Sequence, residues 1–151
     1  MLSFRNISTV VMINRQTGEI YWKLGAPPLS GQHAPTILPN GHVLLFDNGP
    51  HRLDQTFPFS RVLEIDPATK DIVWKYQETP VSNFFSPRIS NAQRLPNGNT
   101  LINEGWFGRF FEVTPKALWS GSMSIRTLAD PHDRRIKPTR CVAPTAIQPR
   151  K

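Results

Sequence analysis

The side chains singled out for chemistry are few: three of the four imidazoles, at His33, His42 and His51, guanidinium groups at Arg5 and Arg88, the adjacent acid and amide Asp47-Asn48, and the thiol of Cys141. A neutral imidazole is a nucleophile or proton carrier near neutral pH, and a guanidinium meets two oxygens of an anion at once. Position separates the candidates. His42 stands beside Asn40-Gly41 where a second copy of the same turn has Asn99, so it reads as a turn residue. His51, after Asp47-Asn48-Gly49-Pro50, reads as a solvent-facing loop residue. His33 aligns with Ser90 in the internal repeat, so packing does not require an imidazole there. Arg5 lies on a stretch otherwise made of apolar and small residues, where a cation is expected to face an open channel. Arg88, in Ser86-Pro87-Arg88-Ile89-Ser90-Asn91, has a similar setting. One carboxylate with one amide at Asp47-Asn48 falls short of the six to eight oxygens calcium takes, and no metal or other cofactor is expected. Cys141 is the single cysteine and cannot form an internal disulfide.

The elements that must hold these residues repeat. Ile13-Asn14-Arg15-Gln16-Thr17-Gly18-Glu19-Ile20-Tyr21-Trp22-Lys23-Leu24 returns 52 residues later as Ile65-Asp66-Pro67-Ala68-Thr69-Lys70-Asp71-Ile72-Val73-Trp74-Lys75-Tyr76. Leu38-Pro39-Asn40-Gly41 returns 57 residues later as Leu95-Pro96-Asn97-Gly98. Proline fixes φ, asparagine tolerates left-handed geometry and glycine favours it, so each Pro-Asn-Gly between β-branched or aromatic runs predicts a tight hairpin. Trp22 and Trp74 follow the other turn at the same phase and are expected to pack between neighbouring sheets. A third copy starts at Arg109-Phe110-Phe111-Glu112-Val113-Thr114-Pro115. Paired hairpins at this spacing read as four-stranded β-propeller blades and leave no interval for a helix of three turns between residues 2 and 113. The expected fold is all-β, a partial β-propeller of about two to three four-stranded antiparallel blades over residues 1–116, followed by an irregular C-terminal tail over residues 117–151. A ring needs about four blades to close, so exposed blade faces open the way to self-association.

Composition agrees with that architecture. Fifteen prolines and nine glycines in 151 residues interrupt the chain too often for a helical bundle, while 38% hydrophobic content can supply a core. No apolar run approaches the roughly 18 residues of a membrane-spanning helix, and no membrane partner is expected. The N-terminal Met1-Leu2-Ser3-Phe4-Arg5-Asn6 lacks the basic and apolar stretches of a signal peptide, and the compartment stays open. The net charge of +7 is concentrated at one end: residues 1–116 hold 11 Lys and Arg against 9 Asp and Glu, residues 117–151 hold 7 against 2. That basic end has no interleaved aromatic residues and no recognition-helix pattern, so nucleic acid is not an expected partner.

Several stretches, read in order, resemble a bacterial arylsulfotransferase family with a β-propeller fold. They are Ser3-Phe4-Arg5-Asn6-Ile7-Ser8-Thr9-Val10, Gly31-Gln32-His33 with Leu38-Pro39-Asn40-Gly41, Phe46-Asp47-Asn48-Gly49, Ser60-Arg61-Val62-Leu63-Glu64-Ile65, and Asn91-Ala92-Gln93-Arg94-Leu95 running on to Ile102. The resemblance covers nearly all of residues 2–116. It implies transfer of a sulfuryl group from a phenolic sulfate ester to another phenol through a sulfated histidine, without a nucleotide donor. The small-molecule partners it implies are therefore phenols and aryl sulfates. His33 matches the family's histidine as the catalytic candidate, as nucleophile or as donor to the sulfate, and Arg5 matches its Ser-x-Arg stretch as a sulfate-binding residue, with Arg88 as a second. The family commonly carries aspartate after this histidine, where the chain has Ala34. The alternative is a non-catalytic propeller module that binds a ligand or partner on its loop face.

After Lys116 a third tryptophan-bearing strand is due, and the chain reads Ala117-Leu118-Trp119-Ser120-Gly121-Ser122-Met123 instead. A coding string for Lys-Gly-Ala-Leu-Val-Trp-Glu-Tyr that loses one base can encode the stretch from Lys116 to Met123. A frameshift is thus one expectation for the change in composition over residues 117–151.

Overall fold

Alternating side chains on either side of each tight turn set eleven strands in the computed structural model, which describes residues 1–124. They form three antiparallel sheets, each a meander in chain order. The first holds β1 (Leu2–Phe4), β2 (Thr9–Ile13) and β3 (Ile20–Leu24). The second holds β4 (His33–Ile37), β5 (Val43–Asp47), β6 (Arg61–Ile65) and β7 (Ile72–Tyr76). The third holds β8 (Asn91–Arg94), β9 (Thr100–Glu104), β10 (Arg109–Val113) and β11 (Trp119–Ser124). Among the described residues the helical segments are single 3-10 turns, Arg5–Ile7 and Val81–Asn83. The fold is all-β, with propeller-like blades. β11 pairs along β10, so the third blade runs past residue 116 to Ser124; the rest of the basic tail lies outside the described residues.

The two Pro-Asn-Gly turns have the same hydrogen bonds. Leu38 N donates to His42 O at 2.8 Å and Gly41 N to Leu38 O at 2.9 Å, matched by Leu95 N to Asn99 O at 2.8 Å and Gly98 N to Leu95 O at 2.9 Å. Gly41 and Gly98 sit at φ +88° and +85°, a conformation open to glycine at no steric cost. Register fixes the equivalence of the blades. Val10 pairs with Leu24 as Val62 pairs with Tyr76, so β2 and β3 correspond to β6 and β7, and β1 to β5. The first blade therefore has three strands rather than the expected four.

Each sheet has two apolar faces, and the core lies between blades. Val10, Met12 and Leu24 of the first blade pack on Val43, Leu45, Leu63 and Ile65 of the second. The opposite face of the second, Leu44, Phe46, Val62 and Tyr76, packs with Phe84 on Ala92, Ile102, Phe111 and Val113 of the third. Each such buried aliphatic or aromatic side chain contributes about 1.5–3 kcal/mol. Trp22 and Trp74 do pack between blades, and each indole N–H donates across the seam at 2.8 Å, Trp22 to Pro67 O and Trp74 to Pro115 O.

Candidate functional site

The connections after β1, β3, β5, β7 and β9 lie at one end of the blades, opposite the Pro-Asn-Gly turns. The candidate residues gather there. His33 opens β4, the first strand of its blade, preceded by Gly31 at φ +63° and the fully buried Gln32. A bulge follows: His33 pairs with Phe46 but Thr36 pairs with Leu44, so three steps on β4 span two on β5. Ala34, at φ +48°, takes up the extra residue. This corrects the alignment of His33 with Ser90. His33 opposes Phe46 as Asn91 opposes Asn103, one position further along than equal spacing gives.

His33 is half-buried, and its Nδ1 lies 2.7 Å from Oδ1 of the buried Asn48. The Asn48 amide donates to Ser86 O at 2.7 Å and Ile89 O at 2.8 Å. Its oxygen can therefore only accept, and His33 Nδ1 carries the proton. Among the described residues Nε2 has no hydrogen-bond partner.

Arg5 is not on a strand, as its apolar neighbours suggested, but opens the 3-10 turn after β1. The chain must reverse there to reach β2, and Ser8 closes the turn in the left-handed conformation. Arg5 Nη2 donates to Pro87 O at 3.0 Å, Nη1 donates to Asn6 Oδ1 at 3.1 Å, and its buried Nε has no partner among the described residues. Arg88 is exposed in the connection before β8, and its guanidinium makes no hydrogen bond or ion pair among the described residues. Arg5 and His33, from different blades, are thus tied to one segment, residues 86–90, which also carries Arg88.

That segment is tied within itself and to the third blade. Ser86 Oγ donates to Arg88 O at 3.0 Å, Ser90 Oγ donates to Ser86 Oγ at 2.8 Å, and the backbone N–H groups of Gly105 and Trp106 donate to Ser90 Oγ and Ser86 Oγ. Ile89 and Ser90 both have positive φ, +51° and +95°. A β-branched residue seldom adopts that conformation and persists in it only where the surroundings impose it.

Beneath the β5–β6 connection the fully buried Asp47 pairs with two guanidinium groups, Arg52 Nη1 and Arg61 Nη2, each at 2.5 Å, which leaves one positive charge in surplus. Burial lowers the Arg52 pKa from its usual value, against the attraction of Asp47. Glu104 and Arg109 repeat the pair in the third blade at 2.6 Å, with burial raising the Glu104 carboxyl. His51 is exposed, but its Nδ1 lies 3.0 Å from the Oγ of buried Ser8. His42 sits by its turn and pairs with Glu64 at 2.8 Å, where Arg94 also arrives. A cavity of about 640 Å³ forms an open depression between β4 and β8 lined by Ala34, Thr36, Ile37, Gln93 and Arg94, without His33.

Sequence reasoning passed over Asn48, considered only as a poor metal ligand, and the 86–90 segment as the common support. The signal available was the Phe46-Asp47-Asn48-Gly49 motif itself. The model of a family described as arylsulfotransferase (ASST) matches residues 1–119. Among solved structures, the chain is similar to a protein of unknown function from Bacteroides caccae, with a TM-score of 0.55 and 20% identity, covering 80% of this chain and 40% of that one. At that identity the likeness bears on the fold, and the chain spans less than half the length of that structure. No curated protein matches the chain.

Proposed function

The chain belongs to the arylsulfotransferase family, and from that premise we propose that it carries part of a site for sulfuryl transfer from an aryl sulfate to a phenol, with His33 as the nucleophile. The observation that supports this most is the His33 ring: Nδ1 is engaged by Asn48, and Nε2 has no partner among the described residues. In the first half-reaction the Nε2 lone pair forms a bond to sulfur as the sulfur–oxygen bond of the ester breaks, and the phenolate leaves with the bonding pair. In the second, the acceptor oxygen attacks sulfur, the nitrogen–sulfur bond breaks, and the acceptor's proton passes to water. Two displacements through one imidazole give ping-pong kinetics.

The charge on the transferring oxygens needs fixed cations. Arg5, with a buried Nε that has no partner among the described residues, and Arg88, exposed on the shared segment, are the proposed sulfate-binding residues. The surplus charge of the Asp47, Arg52 and Arg61 cluster adds a favourable field for an anion.

Incubating the chain with 4-nitrophenyl sulfate and a phenol acceptor, then digesting and weighing the peptides, tests the reading. A gain of one sulfuryl group is expected on the peptide containing His33, absent in His33→Ala. Arg5→Ala is expected to lower transfer about 100- to 1,000-fold, the usual loss on removing one charge-stabilising donor. Turnover unchanged in both variants would overturn the assignment.

A further inference from the structure

The residues that follow the second strand of the three blades are Arg5, Asn48 and Gly105. Their equivalence is set by the pairings Phe4 with Thr9, Asp47 with Arg61 and Glu104 with Arg109, which end each strand at the same place. All three reach the 86–90 segment: Arg5 through Pro87 O, Asn48 through Ser86 O and Ile89 O, and Gly105 through its N–H to Ser90 Oγ. One segment is therefore gripped by the same position of three successive blades, and one of those grips, Asn48, also holds His33.

Resting on the sulfuryl-transfer reading, we propose that Asn48 is the positioning residue of His33: it fixes the Nδ1–H tautomer and so directs Nε2 to the sulfur. Asn48 is fully buried, and each polar atom of its amide is engaged. Both N–H groups point at carbonyls and the oxygen points at the imidazole. Reversing the amide would set its oxygen against two carbonyl oxygens and its N–H against a ring that must then lose the Nδ1 proton. The amide is consequently locked, and it locks the ring.

The lock depends on the segment, and the segment is seated by the third blade. A Cβ on Gly105 would come within 2.8 Å of Ile89 Cγ1 and 3.0 Å of Ser90 N, so glycine is what lets the strained turn lie against that blade. The route from the third blade to the nucleophile runs through Ile89 O, the Asn48 amide and Nδ1. An asparagine also supplies a different partner from the carboxylate that Ala34 displaces. It orients the ring in its neutral form without a counter-charge beside the imidazolium that sulfation creates.

Long-range ¹H–¹⁵N correlation spectra of the full chain, at a pH where the imidazole is neutral and with His33 assigned by its loss in His33→Gln, test the proposal. The expected pattern is a protonated Nδ1 and an unprotonated Nε2 in the parent. In Asn48→Ala that preference is expected to disappear while the backbone spectrum elsewhere is retained, and sulfation of His33 is expected to slow about 10- to 100-fold, the usual cost of losing an orienting partner. An Nε2-protonated ring in the parent overturns the proposal without any variant having to fold, as does an Asn48→Ala chain that keeps the parent pattern. A fixed Nδ1–H ring in a chain that never becomes sulfated would uphold the positioning role and count against sulfuryl transfer. Sulfation through an Nε2-protonated ring would do the reverse.

Discussion

Among the glycines at the site, Gly49 leaves the least room for a side chain. Its φ is +90°, and a Cβ there would overlap the Phe59 carbonyl oxygen and the Arg52 guanidinium. Arg52 needs that space: it bonds Asp47 and Phe59 O, and its guanidinium lies 4.3 Å above the centre of the Phe59 ring. Gly49→Ala is expected to lose about 1–3 kcal/mol from backbone conformation alone, with more from displacing Arg52, read as a lower urea midpoint. An unchanged midpoint would contradict the packing described. Tyr76 gives a pH signature. Its ring is buried against Phe84 and Phe111, its hydroxyl donates to Glu78 Oε1 at 3.2 Å, and burial followed by the Glu78 charge raises its pKa. The unfolded chain releases this proton near pH 10 while the folded chain keeps it, so the unfolded state binds fewer protons there and stability falls as pH rises above about 10. Tyr76→Phe removes that dependence and gives up one hydrogen bond, worth about 1 kcal/mol. The parent is expected to be the more stable below pH 10 and to lose its advantage above it, in paired denaturation curves. A constant difference across that range would refute the shift.

The blades were legible in the sequence because their information is local. Pro-Asn-Gly specifies a hairpin wherever it stands, and Trp22 and Trp74 keep the same phase after their turns because equivalent seams, between the first and second and the second and third blades, receive them. The bulge at Ala34 was not legible, since the turn at Asn40-Gly41 fixes only the far end of the hairpin and the extra residue is absorbed five or more positions away. Arg5 looked like a strand residue because nothing in Leu2-Ser3-Phe4 marks where β1 ends; the strand ends because the chain reverses to reach β2. Asn48 was overlooked for a stronger reason: its partners Ser86 and Ile89 lie 38 and 41 residues away, and no local pattern carries a contact of that range. The seam itself can be tested. Trp74→Phe keeps most of the ring and removes the bond to Pro115 O, with an expected loss of about 1 kcal/mol. Trp119→Phe, at a residue 58% exposed, is expected to change stability little. Equal losses from the two would mean that the indole bond across the seam does not stabilise the blades.

At equivalent positions the middle blade is covered on both faces and the outer blades are not. Leu44 and Val62 are fully buried in the second blade, while Leu101 and Phe110, at the same places in the third, are half-buried on its outer face. Leu45 is fully buried, while Leu2, its counterpart in the first blade, is 50% exposed. Polar contacts follow the same rule. Glu64 accepts from Asn40 at its turn and also receives Arg94 of the next blade, whereas Glu112 accepts from Asn97 and Asn99 and has no arginine among the described residues. Gly121 faces Glu112 where Trp74 faces Glu64, and a Cβ there would meet nothing within 4 Å among the described residues. The strand Lys-Gly-Ala-Leu-Val-Trp-Glu-Tyr, read in the other frame from Lys116, would put its tryptophan at this same position. The outer face of the third blade thus has the apolar pattern of a seam without its tryptophan. Apolar sheet faces of this kind are covered in a stack of blades, and a second copy of the chain is one such cover. The chain is therefore expected to associate as its concentration rises in sedimentation experiments. Phe110→Lys, which puts a charge on the outer face without touching Phe111 or the inner seam, is expected to shift the distribution toward monomer with little change in the unfolding midpoint. A parent that stays monomeric throughout, with Phe110→Lys indistinguishable from it, would show that a half-open blade face of this composition tolerates water without a partner.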